Sequence, residues 1–363
     1  MQKRRDVPTL MDVARRAGVS PSTASFIVRE REPQFSQYAA ETVKRVQLAA
    51  KELGYRPNVM AVSLGRRQSP FFGVSFQFIK DVKSDPMNVR PMLMWEIFRG
   101  ITLAGQAHGR YPVLLTSPDA ESYTRDPGAI DHVIRSGLCG MIVSVDPALW
   151  GAYVSRWEDA GIPCISIFDR GVAGGSRWFV DLDNRRVGSL AWEYLHGRGH
   201  SKVLCVWDHR GAAGVVDRIR GFREAQRAGG YRPMCLRLAR RDPETQEDVQ
   251  HDEALLIETI RSTGATAIFA TSGGVSMDVL ATMSRKGLRV PEDCSVIGID
   301  PLFTYAEYVD LAARMTEIIC PGHELGRAAA NLLARRVDGQ VSEPTGVLVQ
   351  PEIIERESVA VIQ

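Results

Sequence analysis

Residues 9–28 read TLMDVARRAGVSPSTASFIV, and they decide the fold of the N-terminal part of this chain. Thr9 and Asp12 have the spacing of a capping box, in which a hydroxyl and a carboxylate satisfy the first free N–H groups of a helix. We therefore expect a helix to begin at Leu10. Gly18 supplies the backbone freedom to end that helix sharply. The expected apolar face of the helix consists of Val13, Ala14 and Ala17.

A second helix is predicted directly after a short turn. Ser20 is a suitable N-cap and Pro21 suits the first helical position, where no N–H is needed, so this helix should cover residues 21–28. Small residues on both helices allow close approach, and hydroxyl side chains keep the other face polar enough for a DNA major groove. Two short helices around a glycine also occur in ordinary helical domains, which is the alternative interpretation.

A third helix is predicted from Ala39 or Ala40 to Leu53, with Gly54 as its left-handed terminator. Three helices are enough to close a small core. The side chains expected to pack on the first two helices are Val43, Val46, Leu48, Ala50 and Leu53.

Four short motifs carry a resemblance to a known family: DVA (12–14), AGVS (17–20), TAS (23–25) and ELGYRPN (52–58). They are similar to the DNA-binding headpiece of the lactose-repressor/galactose-repressor (LacI/GalR) family of bacterial transcription regulators, and the similarity continues to the C-terminus. The resemblance implies an all-α helix-turn-helix headpiece followed by an α/β periplasmic-binding-protein-like (type I) domain of two Rossmann-like subdomains.

The resemblance also implies a division of the chain. The DNA-binding headpiece would cover residues 1–57, a hinge helix and linker 58–69, and an effector-binding and dimerisation domain 70–363. The residues expected to contact DNA are Thr9, Ser20, Pro21, Ser22, Thr23, Ser25, Phe26, Arg29, Tyr55, Asn58, Ala61 and Leu64.

The second helix departs from the family at Phe26, where an arginine usually reads a base. A phenyl ring can touch a thymine methyl group, but it cannot make the bidentate contact to guanine. Pro21 offers no donor, so Ser22 and Arg29 should carry more of the base reading, and the operator should differ from the usual one. The segment 29–37 is also longer than its family counterpart, and its role stays open.

The hinge begins with Asn58 as a suitable N-cap. A helix this short is marginal alone in water. In the family it forms on DNA against its two-fold mate, and an apolar side chain, here matched by Leu64, wedges into the minor groove. A disordered linker in the free protein is the alternative, and it is compatible with folding on binding.

From residue 71 onward, short apolar β-rich runs alternate with amphipathic stretches, which is typical of parallel sheets covered on both faces. The length suggests two such units, with a ligand cleft between them. A further strand is expected near Met234 to Leu238. The clearest strands are expected over residues 72–78, 112–116, 140–145, 163–167, 203–207, 267–270 and 295–300.

Polar residues just beyond strand ends are the candidates for the effector. Asp169 and Asp300 each follow a predicted strand, Arg218 lies in VVDRIRGF near the start of a predicted helix, and Ser272 occupies a position where the family commonly has an amide. Carboxylates accept from ligand hydroxyls and arginine donates a planar fork, although an aspartate after a strand is often only a cap. Structural roles are expected for Asp183, Asn184 and His200.

The effector itself stays open, because the cleft departs from the family. Ser272 and Gly273 replace an Asn-Asp pair, Pro301 replaces a second polar residue, and the expected aromatic lid is missing from residues 239–241. A sugar or related metabolite, an anionic ligand, or no ligand are all compatible with these residues.

Composition limits the possible classes. The first 69 residues hold 13 Lys and Arg against 6 Asp and Glu, whereas the rest hold 32 against 37, so the N-terminal end is the candidate nucleic-acid surface. The 6 cysteines lack metal-ligand spacing and are expected to be buried apolar residues in a reducing cytoplasm. No membrane span or signal core is evident, which argues against an exported sugar-binding protein. No cofactor or metal is expected.

The sequence therefore predicts a cytoplasmic, homodimeric repressor that binds a pseudo-palindromic double-stranded operator under the control of a small molecule. Two other functions are the alternatives. A small-molecule-binding protein with a degenerate headpiece is suggested by Phe26, and an α/β enzyme is disfavoured because GxGxxG, GxxxxGK[ST] and GxSxG motifs are all missing.

Overall fold

The computed structural model describes residues 8–29, 38–56, 69–76, 91–115, 131, 133–144, 150–168, 178–208, 213–238, 246–299 and 309–362. The chain divides into two compact units, Met1–Pro70 and Phe71–Gln363. Each is described by itself below.

The described residues of the first unit form three helices: α1 Leu10–Ala17, α2 Pro21–Arg29 and α3 Ala40–Leu53. The predicted starts and stops are confirmed, since Thr9 and Asp12 form a complete capping box and Gly18 and Gly54 end α1 and α3 with φ values of 64° and 63°. Helix α2 extends one residue beyond the predicted end.

A small core closes the three helices around Val13, Ala24, Ile27 and Val46, all nearly fully buried. One predicted core residue is wrong: Leu48 is 57% exposed. It lies two residues, or about 200° of rotation, from both Val46 and Ala50, and so it faces away from their packing surface.

The second unit contains two six-stranded sheets with helices on their faces. The strands are β1 Phe71–Phe76, β2 Tyr111–Leu114, β3 Met141–Ser144, β4 Cys164–Ile167, β5 Phe179–Leu182, β6 Val203–Trp207, β7 Met234–Arg237, β8 Ala267–Ala270, β9 Ser295–Ile299, β10 Thr316–Ile319, β11 Gly346–Val349 and β12 Glu352–Ile354. The helices are α4 Pro91–Ala107, α5 Trp150–Asp159, α6 Asn184–His196, α7 Ala213–Ala228, α8 Gln246–Thr263, α9 Gly273–Arg285, α10 Val309–Ala313 and α11 Gly322–Val337.

The two sheets repeat one topology. The first has the order β11-β5-β4-β3-β1-β2 and the second the order β12-β10-β9-β8-β6-β7. All neighbouring strands are parallel except β10 and β12. The chain passes from the first sheet to the second between β5 and β6, returns between β10 and β11, and passes back before β12. The predicted pair of interleaved α/β subdomains is therefore confirmed.

Each sheet has its own apolar core. Phe72, Val74, Ile142 and Ile165 lie in the first, and the second is packed on both faces. Helices α6 and α7 approach closely because Gly188 lacks a side chain: a Cβ there would lie 2.0 Å from the carbonyl oxygen of Arg218. Glycine at this position therefore fixes where α7 lies.

Two details differ from expectation. Strands β5, β10, β11 and β12 were not predicted, and the last two are largely exposed and only four and three residues long. Cys235 is exposed, so the expectation that every cysteine is buried is wrong. Across the described ranges no helix is both long and apolar enough to cross a membrane.

Candidate nucleic-acid interface and ligand site

The start of α1 is fixed by a reciprocal pair of hydrogen bonds. Asp12 N donates to Thr9 Oγ1 at 3.3 Å, and Thr9 N donates to Asp12 Oδ2 at 2.9 Å. The Thr9 hydroxyl also donates to Asp12 Oδ2, and these bonds, with nearby Arg15, hold the pKa of Asp12 below its usual value. The predicted DNA-contact residue Thr9 thus has a structural role as the helix cap.

The start of α2 carries a cluster of hydroxyl groups. Ser20 Oγ lies 2.8 Å from Ser22 Oγ and 2.8 Å from Thr23 Oγ1, and it accepts from Thr23 N at 3.1 Å. The prediction that Ser20 is the N-cap of α2 is therefore confirmed. Pro21 and Ser22 are exposed at the first turn of the helix, where free N–H groups favour an anion such as a DNA phosphate.

Phe26 does not project freely from α2. Its ring is half-buried and packs against Tyr38, with centroids 5.3 Å apart and planes inclined by 51°. Ser25 beside it is also half-buried. Tyr38, which the sequence analysis did not single out, therefore helps to set the shape of this face. Only the aromatic character of Tyr38 could have indicated the contact.

The structure says less about the other predicted DNA-contact residues. Tyr55 is half-buried against the headpiece core. Arg29 is the last residue of α2. Asn58, Ala61 and Leu64 lie outside the described residues.

The second unit has polar groups at the point in its second sheet where the order of strand addition reverses. The strand order reverses between β6 and β8, and in open α/β sheets ligands bind beyond the carboxyl ends of strands at such a point. Asp208 follows β6 and is buried, and Thr271 follows β8. The buried hydroxyl of Thr271 has no hydrogen-bond partner among the described residues, so it is available to a ligand.

Arg218 joins these groups to the end of the first sheet. Its Nε donates to Asn184 Oδ1 at 2.8 Å, and its Nη1 donates to the carbonyl oxygen of Thr271 at 2.8 Å. Asn184 is itself fixed, because its amide donates to the carbonyl oxygen of Leu182 at 3.1 Å. A guanidinium held in this way is preorganised to donate to a ligand at the same edge.

The remaining candidates divide between local roles and residues that are not described. Ser272 caps α9 by accepting from Val275 N at 3.3 Å. Asp169 and Asp300 lie outside the described residues. Phe168, directly before Asp169, has a φ of 67°, a conformation that is strained for a residue with a side chain and is typical of functional sites.

Two residues have the structural roles expected of them. Asp183 caps α6 by accepting from Arg186 N at 3.0 Å. His200 is buried, with Nδ1 2.9 Å from the Thr266 hydroxyl and Nε2 donating to the carbonyl oxygen of Ala360 at 3.1 Å. Burial lowers the pKa of His200, and the nearby charge of Arg198 acts in the same direction.

Comparison with family models decides the assignment. A model described as bacterial regulatory proteins, lacI family, matches residues 9–58, a range that includes α1, α2 and α3. A periplasmic binding protein-like domain matches residues 192–359. The N-terminal domain of this chain is a lacI-family domain. The chain is a helix-turn-helix transcriptional regulator.

Relatives of this chain align along nearly its whole length. The HTH-type transcriptional regulator CelR of Thermobifida fusca is 28% identical, covering 98% of this chain and 99% of the relative. The transcriptional repressor CytR of Escherichia coli K12 is 27% identical over 98% of both chains. The repressor PurR of Vibrio atlanticus is 26% identical over 97% of this chain and 98% of its own length.

Solved structures support the same fold. The Lac repressor dimer bound to operator and the anti-inducer ONPF superposes with a TM-score of 0.66, at 20% identity and covering 97% of this chain and 99% of that one. A CelR–cellobiose complex gives a TM-score of 0.59 at 24% identity with the same coverage.

Proposed function

We propose that this LacI-family regulator is a repressor that binds a pseudo-palindromic operator as a homodimer and is released or recruited by a small molecule in the cleft of its second unit. The observation that carries the proposal is the doubly capped pair α1 and α2, which presents an exposed, hydroxyl-rich helix start. The domain limits proposed are 1–57 for the headpiece, 58–69 for the hinge and 70–363 for the effector domain.

The proposed DNA contacts centre on the first turn of α2. Ser22 is exposed there and can donate to a base or a phosphate. The Phe26 ring, braced by Tyr38, offers an apolar edge that suits a thymine methyl group. The hinge contacts of Asn58, Ala61 and Leu64 are proposed from the family resemblance.

The homodimer is proposed from the exposed apolar side chains around the edge of the first sheet. Strand β2 is an edge strand, yet Tyr111, Val113 and Leu114 are all exposed. Helix α4, which packs beside β2, exposes Trp95 and Leu103 as well. Exposed apolar residues on a sheet edge are typical of an interface, and two headpieces are what a two-fold operator requires.

The effector proposed is a small polar metabolite of the sugar class. The supporting groups are the Arg218 guanidinium, the buried Asp208 carboxylate and the unpartnered Thr271 hydroxyl, with Asp169 and Asp300 added from the resemblance. Solved relatives carry cellobiose or ribose. Ser272 replaces the usual amide, and so we expect fewer hydrogen bonds on that side of the ligand.

The decisive experiment is selection of random duplexes by the full-length protein at moderate ionic strength. We expect an enriched two-fold motif, and Ser22→Ala should relax base preference at one position of each half-site. Ser262→Ala, an exposed serine of the second unit, should select the wild-type motif. Binding without any preference over scrambled DNA would overturn the assignment.

The hinge is tested separately with Leu64→Ala. Loss of an apolar wedge should reduce DNA bending and weaken specific binding, because the kink depends on the inserted side chain. Gel-shift bending analysis on the selected operator measures both effects. Unchanged bending would remove residue 64 from the mechanism.

A second candidate function follows from Phe26 and Tyr38. A headpiece face occupied by packed aromatic rings could have lost base reading, which would leave a small-molecule-binding protein with only salt-dependent, sequence-independent affinity for DNA.

We propose no enzymatic activity, since the relatives are regulators. Cytoplasmic location is proposed because the operator lies on the chromosome.

A further inference from the structure

Cys205 and Cys235 face each other on neighbouring strands. Strands β6 and β7 are parallel, and their register pairs Cys205 directly with Cys235. The two side chains lie on the same side of the sheet and share a thiol–thiol hydrogen bond. Strand β7 is the edge of its sheet, so one member of the pair is accessible from outside.

The two thiols differ in exposure. Cys205 is fully buried in the core between the sheet and helices α6 and α7, where Phe222 also lies. Cys235 is exposed, and it is the only exposed member of the six cysteines. An oxidant can therefore reach the Cys235 thiol from solvent, whereas the Cys205 thiol is accessible only to its neighbour Cys235.

The surroundings of Cys235 favour its thiolate. The hydrogen bond from Cys205 lowers the pKa of Cys235, and the positive charges of Arg223 and Arg227 on α7 lower it further, although partial burial opposes them. Burial raises the pKa of Cys205, which therefore stays a thiol. Low-pKa, accessible cysteines next to a second thiol are the usual sites of reversible oxidation.

The backbone spacing suits a covalent link. Neighbouring strands lie about 4.8 Å apart, and Cα atoms joined by a disulfide lie about 4.4–6.8 Å apart. Bond formation thus needs side-chain rotation and small adjustment of an edge strand, with no change of register.

We propose that Cys205 and Cys235 form a reversible redox site, in which a hydroperoxide oxidises Cys235 and Cys205 resolves it to a disulfide. The Cys235 thiolate attacks the outer oxygen of the peroxide, the O–O bond breaks, and the departing alkoxide or hydroxide takes a proton. Cys205 sulfur then attacks the sulfenic acid, and its proton leaves with the hydroxyl as water. Overall, two thiols and one hydroperoxide give one disulfide, one alcohol or water, and one further water.

The test treats native full-length protein with a small excess of hydrogen peroxide, followed by alkylation, non-reducing digestion and mass spectrometry. We expect a peptide pair joined through Cys205 and Cys235, reversed by dithiothreitol. In Cys205→Ala the sulfenic acid at Cys235 should persist and be trapped by dimedone. Cys235→Ser should form neither product, and Cys139→Ser, at a half-buried site, should behave as wild type.

A kinetic measurement tests the role of the arginines without relying on the buried position. The rate at which iodoacetamide alkylates Cys235 at neutral pH should fall several-fold in the double variant Arg223→Gln, Arg227→Gln, and should be kept in Arg223→Lys, Arg227→Lys. The proposal is overturned if Cys235 reacts with peroxide no faster than Cys139, or if the oxidised protein contains no link between Cys205 and Cys235.

Discussion

Single side chains at helix starts explain how the headpiece keeps its shape. The capping roles of Thr9 and Ser20 follow from local chemistry, because a cap and its target N–H lie within three residues. They could therefore be predicted from sequence. The contact between Phe26 and Tyr38 could not be predicted, since residues 27–37 separate the two in the chain and nothing in the composition of this segment indicates that the rings meet.

Replacing Tyr38 should loosen α2. We expect Tyr38→Leu and Phe26→Leu to show a coupling free energy of about 0.5–1.5 kcal/mol in a double-mutant cycle, as measured for aromatic pairs. Hydrogen exchange of α2 amides in the full-length protein measures it. Tyr38→Phe keeps the ring and is the control, so equal loss of protection in Tyr38→Phe and Tyr38→Leu would contradict the role of the aromatic contact.

At the scale of elements, buried parallel strands were the most predictable feature. Strands β6 and β8 lie where their continuous apolar runs predicted them. Strands β11 (GVLV) and β12 (EII) are harder to recognise, because their apolar runs are short and because they pair at sheet edges and leave many side chains in solvent. The packing of one helix on another could not be predicted from the sequence pattern either, since it depends on which two helix faces meet.

The close approach of α6 and α7 gives a prediction for Gly188. A methyl group there would overlap the Arg218 carbonyl oxygen, so Gly188→Ala should destabilise the second unit by about 1–3 kcal/mol and weaken effector binding by displacing Arg218. Urea unfolding and calorimetry with the identified effector measure the two effects. The control is Gly197→Ala, where the nearest atom to the added carbon lies 3.2 Å away. Equal stability of the two variants would show that the helices can separate without cost.

At the scale of the whole molecule, assembly depends on surfaces that the sequence pattern did not distinguish. Leu114→Glu should shift the protein from dimer to monomer and lower operator affinity, because a charge would be buried at the proposed interface around β2. Sedimentation velocity measures the change. Leu348→Glu alters an exposed leucine on the opposite edge strand β11 and should leave the dimer intact. A dimeric Leu114→Glu protein would place the interface elsewhere.

Buried His200 makes the stability of the second unit depend on pH. Its folded pKa is lowered from 6.5, so below about that pH the unfolded chain binds more protons and the folded state loses stability as pH falls. We expect the urea midpoint to decrease between pH 7.5 and 5.5, and His200→Gln should lose part of that dependence. All 6 tryptophans lie after residue 70, so their fluorescence follows this unit alone. An identical pH profile in His200→Gln would assign the effect to other groups.

Residues 358–362 are hydrogen-bonded to strand β9 and to the segment that follows α6. Val296 N donates to the carbonyl oxygen of Ser358 at 2.8 Å, and Ile362 N donates to that of Arg198 at 2.9 Å. Val361 between them is 75% exposed. Deleting residues 358–362 would therefore leave the Val296 N–H of β9 and the Arg198 carbonyl oxygen without these partners, and we expect the second unit to unfold at a lower urea concentration.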